Sequence, residues 1–179
     1  RKVRPHIVAL VAKNGRLDDE TIKQLIAMQE DLHNGIGRRR KKASIGIHNL
    51  DAIKFPVEYT VTDSRFSFVP LGGQSGMMTV EDILKETETG RSYGHLLAGA
   101  GDKYPVIVDS AGTVLSLPPI VNGEATRVDT KCTNLFVEVT AMDARAAQDA
   151  LAVMAITLHD AGFAICPVAI TSSEGGRKK

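Results

Sequence analysis

The sequence is poor in aromatic residues and has no tryptophan, which limits how its core can be built. Aromatic residues make up 4% of the 179 residues, whereas hydrophobic residues of all kinds make up 43%. A core of ordinary size must therefore be aliphatic. The same scarcity argues against a surface that binds single-stranded nucleic acid by stacking successive bases on aromatic rings.

Metal-ligating and disulfide-forming residues are also too few, or too scattered, to define a site. The only cysteines, Cys132 and Cys166, lie in apolar or strand-like runs and form no CxxC pair, so we expect reduced thiols in a cytoplasmic protein. The five histidines show neither HExxH nor HxH spacing, and no metal site is expected.

Several other functional signatures are missing. No apolar run approaches the roughly 20 residues of a membrane span, and no signal peptide is visible. The chain begins at Arg1 without Met, which is typical of a fragment of a longer protein. There is no GxSxG elbow, no Walker motif and no GxGxxG, since the third glycine is absent after Gly35 and Gly37. An activated nucleophile and a nucleotide site are therefore not expected.

Hydrophobic periodicity and turn residues predict an α+β (mixed α/β) fold, with a mixed sheet that contains hairpins and packs against about three helices. Residues 1–170 are expected to form a single domain and 171–179 a disordered tail. The Gly-rich stretch 90–103 is predicted to be a loop. The predicted helices span 18–33, 80–88 and 143–162, and the predicted strands span 6–12, 43–48, 55–70, 134–140 and 163–170, with a hairpin over 104–118.

One dense run of charge stands out in a chain whose net charge is only +1. It consists of Arg38, Arg39, Arg40, Lys41 and Lys42. Consecutive cations repel one another unless phosphates or solvent neutralise them, so the run favours either RNA binding or a solvated loop about equally.

The strand 134–140 alternates in a way that places Phe136, Glu138 and Thr140 on one face of a sheet. A glutamate inside an otherwise apolar strand is unfavourable unless it is solvated or paired. This face is therefore either a ligand-binding surface or a solvent-exposed surface without a ligand. Ser116 and His48, each near a strand end, leave the same choice between a ligand contact and a structural hydrogen bond.

Three segments in the same order resemble one family. They run from Leu32 through the basic run to Asp51, from Tyr104 to Gly123, and from Thr133 to Thr140. Together they are similar to the editing region of the phenylalanyl-tRNA synthetase beta subunit of archaea and eukaryotes, over about residues 3–165. The resemblance implies hydrolysis of tyrosyl-tRNA(Phe) by a positioned water, without an enzyme nucleophile.

The resemblance also implies roles for individual residues. Glu138 would recognise the tyrosine hydroxyl, although archaeal relatives often carry Asp there, and Ser116 and Thr140 would orient the ester or the water as catalytic groups. The substrate would further be bordered by His48, Ile107, Pro118, Pro119 and Asn122, and the tRNA would be held by Arg38, Arg39, Arg40, Lys41 and Lys42.

The partners implied are tRNA(Phe) mischarged with tyrosine, the synthetase alpha subunit and the remaining domains of the beta subunit. The domain itself would need no cofactor, while the parent enzyme would use ATP and Mg. Two other interpretations stay open: a tRNA-binding or subunit-interface module without chemistry, and a free-standing aminoacyl-tRNA deacylase. A hydrolase of small esters has little support because no activated nucleophile is visible.

Overall fold

The structure is a computed structural model that describes residues 3–73 and 76–172. The α+β prediction is confirmed. The strands are β1 His6–Lys13, β2 Ala43–Asn49, β3 Val57–Thr62, β4 Ser67–Phe68, β5 Met78–Thr79, β6 Tyr104–Asp109, β7 Val114–Leu117, β8 Val121–Asn122, β9 Leu135–Ala141 and β10 Ala164–Pro167. The helices are α1 Asp19–Asn34, α2 Val80–Glu86, α3 Glu88–Tyr93 and α4 Ala144–Asp160, with 3₁₀ turns at Leu50–Ala52, Gly94–Leu97 and Glu124–Thr126.

Eight of these strands form two stacked four-stranded sheets, and β4 and β5 form a separate two-stranded sheet. The pairs given by the structure are antiparallel. The β9 sheet has the order β10-β1-β9-β2, and the β7 sheet has the order β3-β6-β7-β8. Helices α1 and α4 cover the outer face of the β9 sheet, and α2 covers the outer face of the β7 sheet. Between the sheets lies a third apolar cluster, which includes Phe136, Ile107 and Leu115. As expected from the composition, these cores are mainly aliphatic.

Local sequence signals explain where most helices begin. Asp18 caps α1 by accepting a hydrogen bond from the Thr21 amide at 2.7 Å, and Asp143 caps α4 through the Ala146 amide at 3.0 Å. The predicted loop over 90–103 is wrong at its start, because α3 and a 3₁₀ turn occupy residues 88–97. Gly90 lies inside α3 and allows close packing there, since a Cβ on it would lie 2.0 Å from the Ile83 carbonyl oxygen.

A β-bulge in the β7 sheet determines which side chains face the β9 sheet. Ile107 pairs with Ser116 and Val108 pairs with Val114, so Leu115 is an extra residue on β7. Leu115 packs in the cluster between the sheets, and the neighbouring Ser116 hydroxyl reaches a residue of β9. The bulge thereby places a hydroxyl between two apolar layers.

Part of the sequence prediction falls outside the described chain. Most of the expected disordered tail, residues 173–179, lies outside the described residues. Within the described ranges, no helix has the length and hydrophobicity needed to cross a membrane.

Candidate functional site

A cavity of about 720 Å³ opens beside the end of β7 and the edge strand β2. Its walls come from α1, β2, residues 70–73, the junction of α2 and α3, and residues 116–122, with one side chain from β9. A volume of this size is within the range of small-molecule sites. Six of the predicted site residues line it: Ser116, Glu138, Pro118, Pro119 and Asn122 from the predicted catalytic and substrate-binding set, and Arg40 from the basic run.

Glu138 is the most unusual group of this cavity because its carboxyl is buried and only partly paired. Its Oε1 accepts a hydrogen bond from Ser116 Oγ at 3.1 Å and lies 3.5 Å from His48 Nε2. Its Oε2 is buried without a hydrogen-bond partner in the described part of the chain. A buried acceptor without a donor is unfavourable, and such groups are frequently explained by a ligand or a functional role.

Gly46 makes room for this carboxyl. It pairs with Glu138 across β2 and β9, and a Cβ at Gly46 would lie 2.1 Å from Glu138 Oε1. The same Cβ would lie 2.6 Å from His48 Nε2. Since Gly46 does not have a left-handed backbone, the close approach of side chains is the reason for glycine here.

Three of the predicted catalytic and substrate-binding residues do not line the cavity. His48 is fully buried, with its Nδ1 2.9 Å from Thr126 Oγ1. Its Nε2 lies near Glu138 Oε1, the oxygen that Ser116 also contacts. Ile107 is part of the core between the sheets and forms no cavity wall, because side chains alternate along β6 and its neighbours Val106 and Val108 take the outer face. Thr140 is also fully buried, and its hydroxyl interacts with protein groups.

Arg4, which sequence reasoning missed, holds Thr140. Its Nε donates to Thr140 Oγ1 at 3.1 Å, and its Nη2 donates to Ser44 Oγ at 3.1 Å and to the Thr140 carbonyl at 2.7 Å. Burial lowers the pKa of the guanidinium to about 10, against the opposing effect of Tyr59 and Glu138. Burial also raises the pKa of Tyr59, whose hydroxyl donates to the Arg4 carbonyl. No local sequence signal distinguishes this arginine from a surface residue.

The residues of the basic run differ in their exposure to solvent. Arg38, Arg39 and Lys41 are exposed, Lys42 is half-buried, and residues 38–40 form a turn with φ values of +47°, +54° and +64°. Arg40 folds back over the Tyr93 ring, 4.3 Å from its centroid. The exposed members present positive charge to solvent, whereas Arg40 is part of the domain's packing.

Arg40 connects two walls of the cavity. It donates to the Pro119 carbonyl at 3.2 Å and to the Ile120 carbonyl at 3.1 Å, and it pairs with Glu30 Oε1 at 3.0 Å. Although burial raises the pKa of Glu30, Arg40 and His33 outweigh it and the net pKa is lowered. Arg40 therefore ties α1 to the proline segment that borders the cavity.

Side chains of α1 also cap the open edge of β2. The Ile45 amide donates to His33 Nε2 at 2.9 Å, and Gln29 Nε2 donates to the Ile45 carbonyl at 2.7 Å. In the neutral ring, the proton of His33 must therefore sit on Nδ1, which lies 3.1 Å from Glu30 Oε1. Burial and, to a smaller extent, Arg40 lower the pKa of His33. All four of these α1 and β2 residues line the cavity.

The site therefore offers hydroxyls, a buried carboxyl and nearby cations. In residues 3–73 and 76–172, no group of three His, Cys, Asp or Glu side chains is arranged to hold a metal ion. The Ser116 hydroxyl donates to a Glu138 carboxyl oxygen, which leaves the lone pairs of Ser116 Oγ as acceptors for a polar ligand or for water.

Comparison with known proteins identifies similar chains. Residues 12–157 match the model of the B3/4 domain family. The chain is 47% identical over 160 residues to the phenylalanine–tRNA ligase beta subunit of Archaeoglobus fulgidus, covering 89% of this chain and 29% of that protein. With the same subunit of Pyrococcus furiosus it shares 45% identity over 165 residues, 90% of this chain and 29% of that one. The chain thus spans less than a third of these relatives.

A solved structure has a similar fold. The crystal structure of an N-terminal fragment of the phenylalanyl-tRNA synthetase beta subunit from Pyrococcus horikoshii matches with a TM-score of 0.87 and 40% sequence identity. The match covers 91% of this chain and 47% of that one.

Proposed function

Since the chain belongs to the B3/4 domain family, we propose that it hydrolyses tyrosyl-tRNA(Phe) as the editing domain of a phenylalanyl-tRNA synthetase beta subunit. Such a domain removes tyrosine that the synthetase has attached in error, and thereby protects the fidelity of translation. The observation that carries the proposal is the buried Glu138 carboxyl, which lines the cavity and has one oxygen without a partner.

The unpaired carboxyl oxygen explains how tyrosine would be distinguished from phenylalanine. The phenol hydroxyl of tyrosine supplies the donor that Glu138 Oε2 lacks, whereas a phenylalanine ring would leave this oxygen buried and unpaired. Sites that hydrogen-bond a substrate hydroxyl reject analogues without it strongly, because their own polar groups then lose their partner. Ser116 and His48 keep the other oxygen in place.

Hydrolysis at this site would not need an enzyme nucleophile. The ester that joins an amino acid to tRNA is already reactive, so positioning of a water and hydrogen bonds to the ester supply the main catalytic effects. Ser116 lies in the cavity wall, and because its proton is donated to Glu138 Oε1, its oxygen can accept a hydrogen bond from the water but cannot donate one to the ester. The role of Thr140 would be indirect, because its buried hydroxyl reaches Ser44 and not the cavity.

The tRNA would be held by the exposed cations of the basic turn. Arg38, Arg39 and Lys41 face solvent, where phosphate contacts would release counterions and make the affinity depend on salt. Beyond this chain, the proposal includes the alpha subunit and the other beta-subunit domains as partners in the cytoplasm. ATP and Mg would serve the parent enzyme, and the editing domain would need no cofactor.

The decisive experiment measures the release of tyrosine and of phenylalanine from charged tRNA(Phe) by the chain and by the complete ligase that carries it. We expect tyrosine to be released faster. In the Glu138→Ala variant we expect the preference to fall by about 10- to 100-fold, because one buried hydrogen bond to a charged group is lost. The Glu58→Ala variant, which removes an exposed glutamate from β3, is the matched control and should keep the preference.

Two outcomes would contradict the proposal. Unchanged preference in Glu138→Ala would remove Glu138 as the selecting group. If neither the chain nor the ligase released tyrosine, while tRNA still bound with a strong salt dependence, the domain would be a tRNA-binding module without chemistry.

A further inference from the structure

Ser44 has a hydroxyl whose hydrogen-bonding pattern points to the cavity. It lines the cavity wall from β2, and it pairs directly with Thr140 of β9. Its Oγ lies 3.1 Å from Thr140 Oγ1 and accepts a hydrogen bond from Arg4 Nη2 at 3.1 Å. No motif in the sequence singles out this serine.

The proton of Thr140 determines what Ser44 does with its own proton. Thr140 Oγ1 accepts from Arg4 Nε, and an arginine has no acceptor to offer in return. Among the described residues, Ser44 Oγ is thus the one acceptor in hydrogen-bond contact with the buried Thr140 hydroxyl. Thr140 must therefore donate to Ser44, since the reverse arrangement would leave a buried donor without a partner.

Once Ser44 accepts from both Thr140 and Arg4, its own proton has no acceptor in the described part of the protein. The hydroxyl is then a donor that is available to a ligand in the cavity. Arg4 holds this arrangement rigidly, because its Nη1 also donates to the Arg40 carbonyl at 3.0 Å and its Nη2 to the Thr140 carbonyl at 2.7 Å.

The order of groups along β2 shows which part of a substrate Ser44 would meet. Gly46 lies against Glu138, and Ser44 is two residues earlier, about 7 Å along the strand. Residues 38–41, with the exposed cations, come just before β2. Ser44 therefore stands between the group proposed to select the phenol and the turn proposed to hold the tRNA, where the ester that joins them must lie.

We propose that Ser44 donates a hydrogen bond to the carbonyl oxygen of the aminoacyl ester, and that Arg4 is the positioning residue that directs it through Thr140. The proposal rests on the editing function and adds a catalytic contact to it. As the ester carbon becomes tetrahedral, this oxygen gains negative charge, so a fixed donor stabilises the transition state more than the bound ester.

The test is single-turnover hydrolysis of tyrosyl-tRNA(Phe) at increasing enzyme concentration, in the chain and in the ligase that carries it. For Ser44→Ala we expect the maximal rate to fall by about 100- to 1000-fold, as for removal of one oxyanion donor, with little change in the half-saturating concentration. Ser44→Thr, which keeps a hydroxyl, should recover most of the rate. Ser67→Ala removes an exposed serine and should behave like the unaltered protein. Thermal unfolding of each variant separates loss of fold from loss of rate.

Arg4→Lys, measured alone and together with Ser44→Ala, tests the positioning role. If Arg4 acts through Ser44, Arg4→Lys lowers the rate of the unaltered protein but adds little to Ser44→Ala. If Arg4→Lys lowered the hydrolysis rate equally with and without Ser44→Ala, the positioning role of Arg4 would be overturned, because a purely structural effect does not depend on Ser44. A normal maximal rate in Ser44→Ala, with selection still lost in Glu138→Ala, would overturn the contact and leave the editing function standing. No hydrolysis by the unaltered protein would overturn both.

Discussion

Replacing Gly46 with alanine should disable the cavity by displacing the Glu138 carboxyl. The added Cβ would lie 2.1 Å from Glu138 Oε1, 2.6 Å from His48 Nε2 and 2.9 Å from Glu138 Cδ. None of these distances is tolerable, and both side chains are buried, so the carboxyl has to rotate away from Ser116. The preference for tyrosine should then be lost together with stability.

The magnitude follows from three effects. Overpacking a buried site costs about 1–3 kcal/mol. Loss of the buried hydrogen bond between Ser116 and the Glu138 carboxyl costs a further 1.5–3 kcal/mol or so. Alanine restricts the unfolded chain more than glycine does, which returns about 0.4–1 kcal/mol. We therefore expect Gly46→Ala to lower the free energy of unfolding by about 2–5 kcal/mol.

Urea denaturation of four proteins tests this reasoning: the unaltered chain, Gly46→Ala, Glu138→Ala and the double variant. Removing the carboxyl relieves the closest contact, so Gly46→Ala should be clearly less destabilising in the Glu138→Ala background. Equal destabilisation in both backgrounds, within about 0.5 kcal/mol, would refute the steric explanation. Gly94→Ala is the control, because a Cβ there meets only Leu84 Cδ2 at 3.4 Å and should leave stability unchanged or slightly higher.

Two further predictions concern α1 and the basic turn. Arg40→Ala loses hydrogen bonds to the Pro119 and Ile120 carbonyls, so urea denaturation should show a free energy of unfolding lower by about 2 kcal/mol. Arg39→Ala should change this free energy by less than about 0.5 kcal/mol and should instead reduce the salt dependence of tRNA binding. Similar stability of the two variants would contradict the distinction between a packed Arg40 and an exposed Arg39. His33 has a lowered pKa in the folded state, so the unfolded state binds more protons near pH 6. The stability that His33 contributes should therefore be complete above about pH 6.5 and lost as the pH falls below that value. Between pH 7.5 and 5, the free energy of unfolding should fall more steeply for the unaltered chain than for His33→Gln, and identical slopes would contradict this explanation.

The local elements of this fold follow from short-range patterns in the sequence. Asp18 and Asp143 mark the starts of two helices because a helix leaves its first amides unpaired, and a nearby carboxylate satisfies them at any position in a fold. The alternation of residues 134–140 likewise places Phe136, Glu138 and Thr140 on one face, because successive side chains of a strand point to opposite sides.

The prediction of the candidate site was less complete for a physical reason. Local patterns identified Glu138 on a core strand and Ser116 near a strand end, and the resemblance added Pro118, Pro119 and Asn122. The structure brings all five to one cavity. The resemblance also suggested Ile107 as a wall residue, but Ile107 lies in the core between the two sheets, because the face of β6 that it occupies is covered by the β9 sheet, a packing that local patterns do not encode.

The sequence alone determined most of the secondary-structure elements, the polar face of β9 and the position of the basic run, since each depends on residues a few positions apart. The tertiary structure decided which of these groups meet. Arg4 contacts Thr140 across 136 positions of the chain, and Arg40 reaches Pro119 across 79. Such contacts depend on strand order, register and the stacking of two sheets, which local patterns of hydrophobicity and charge do not encode.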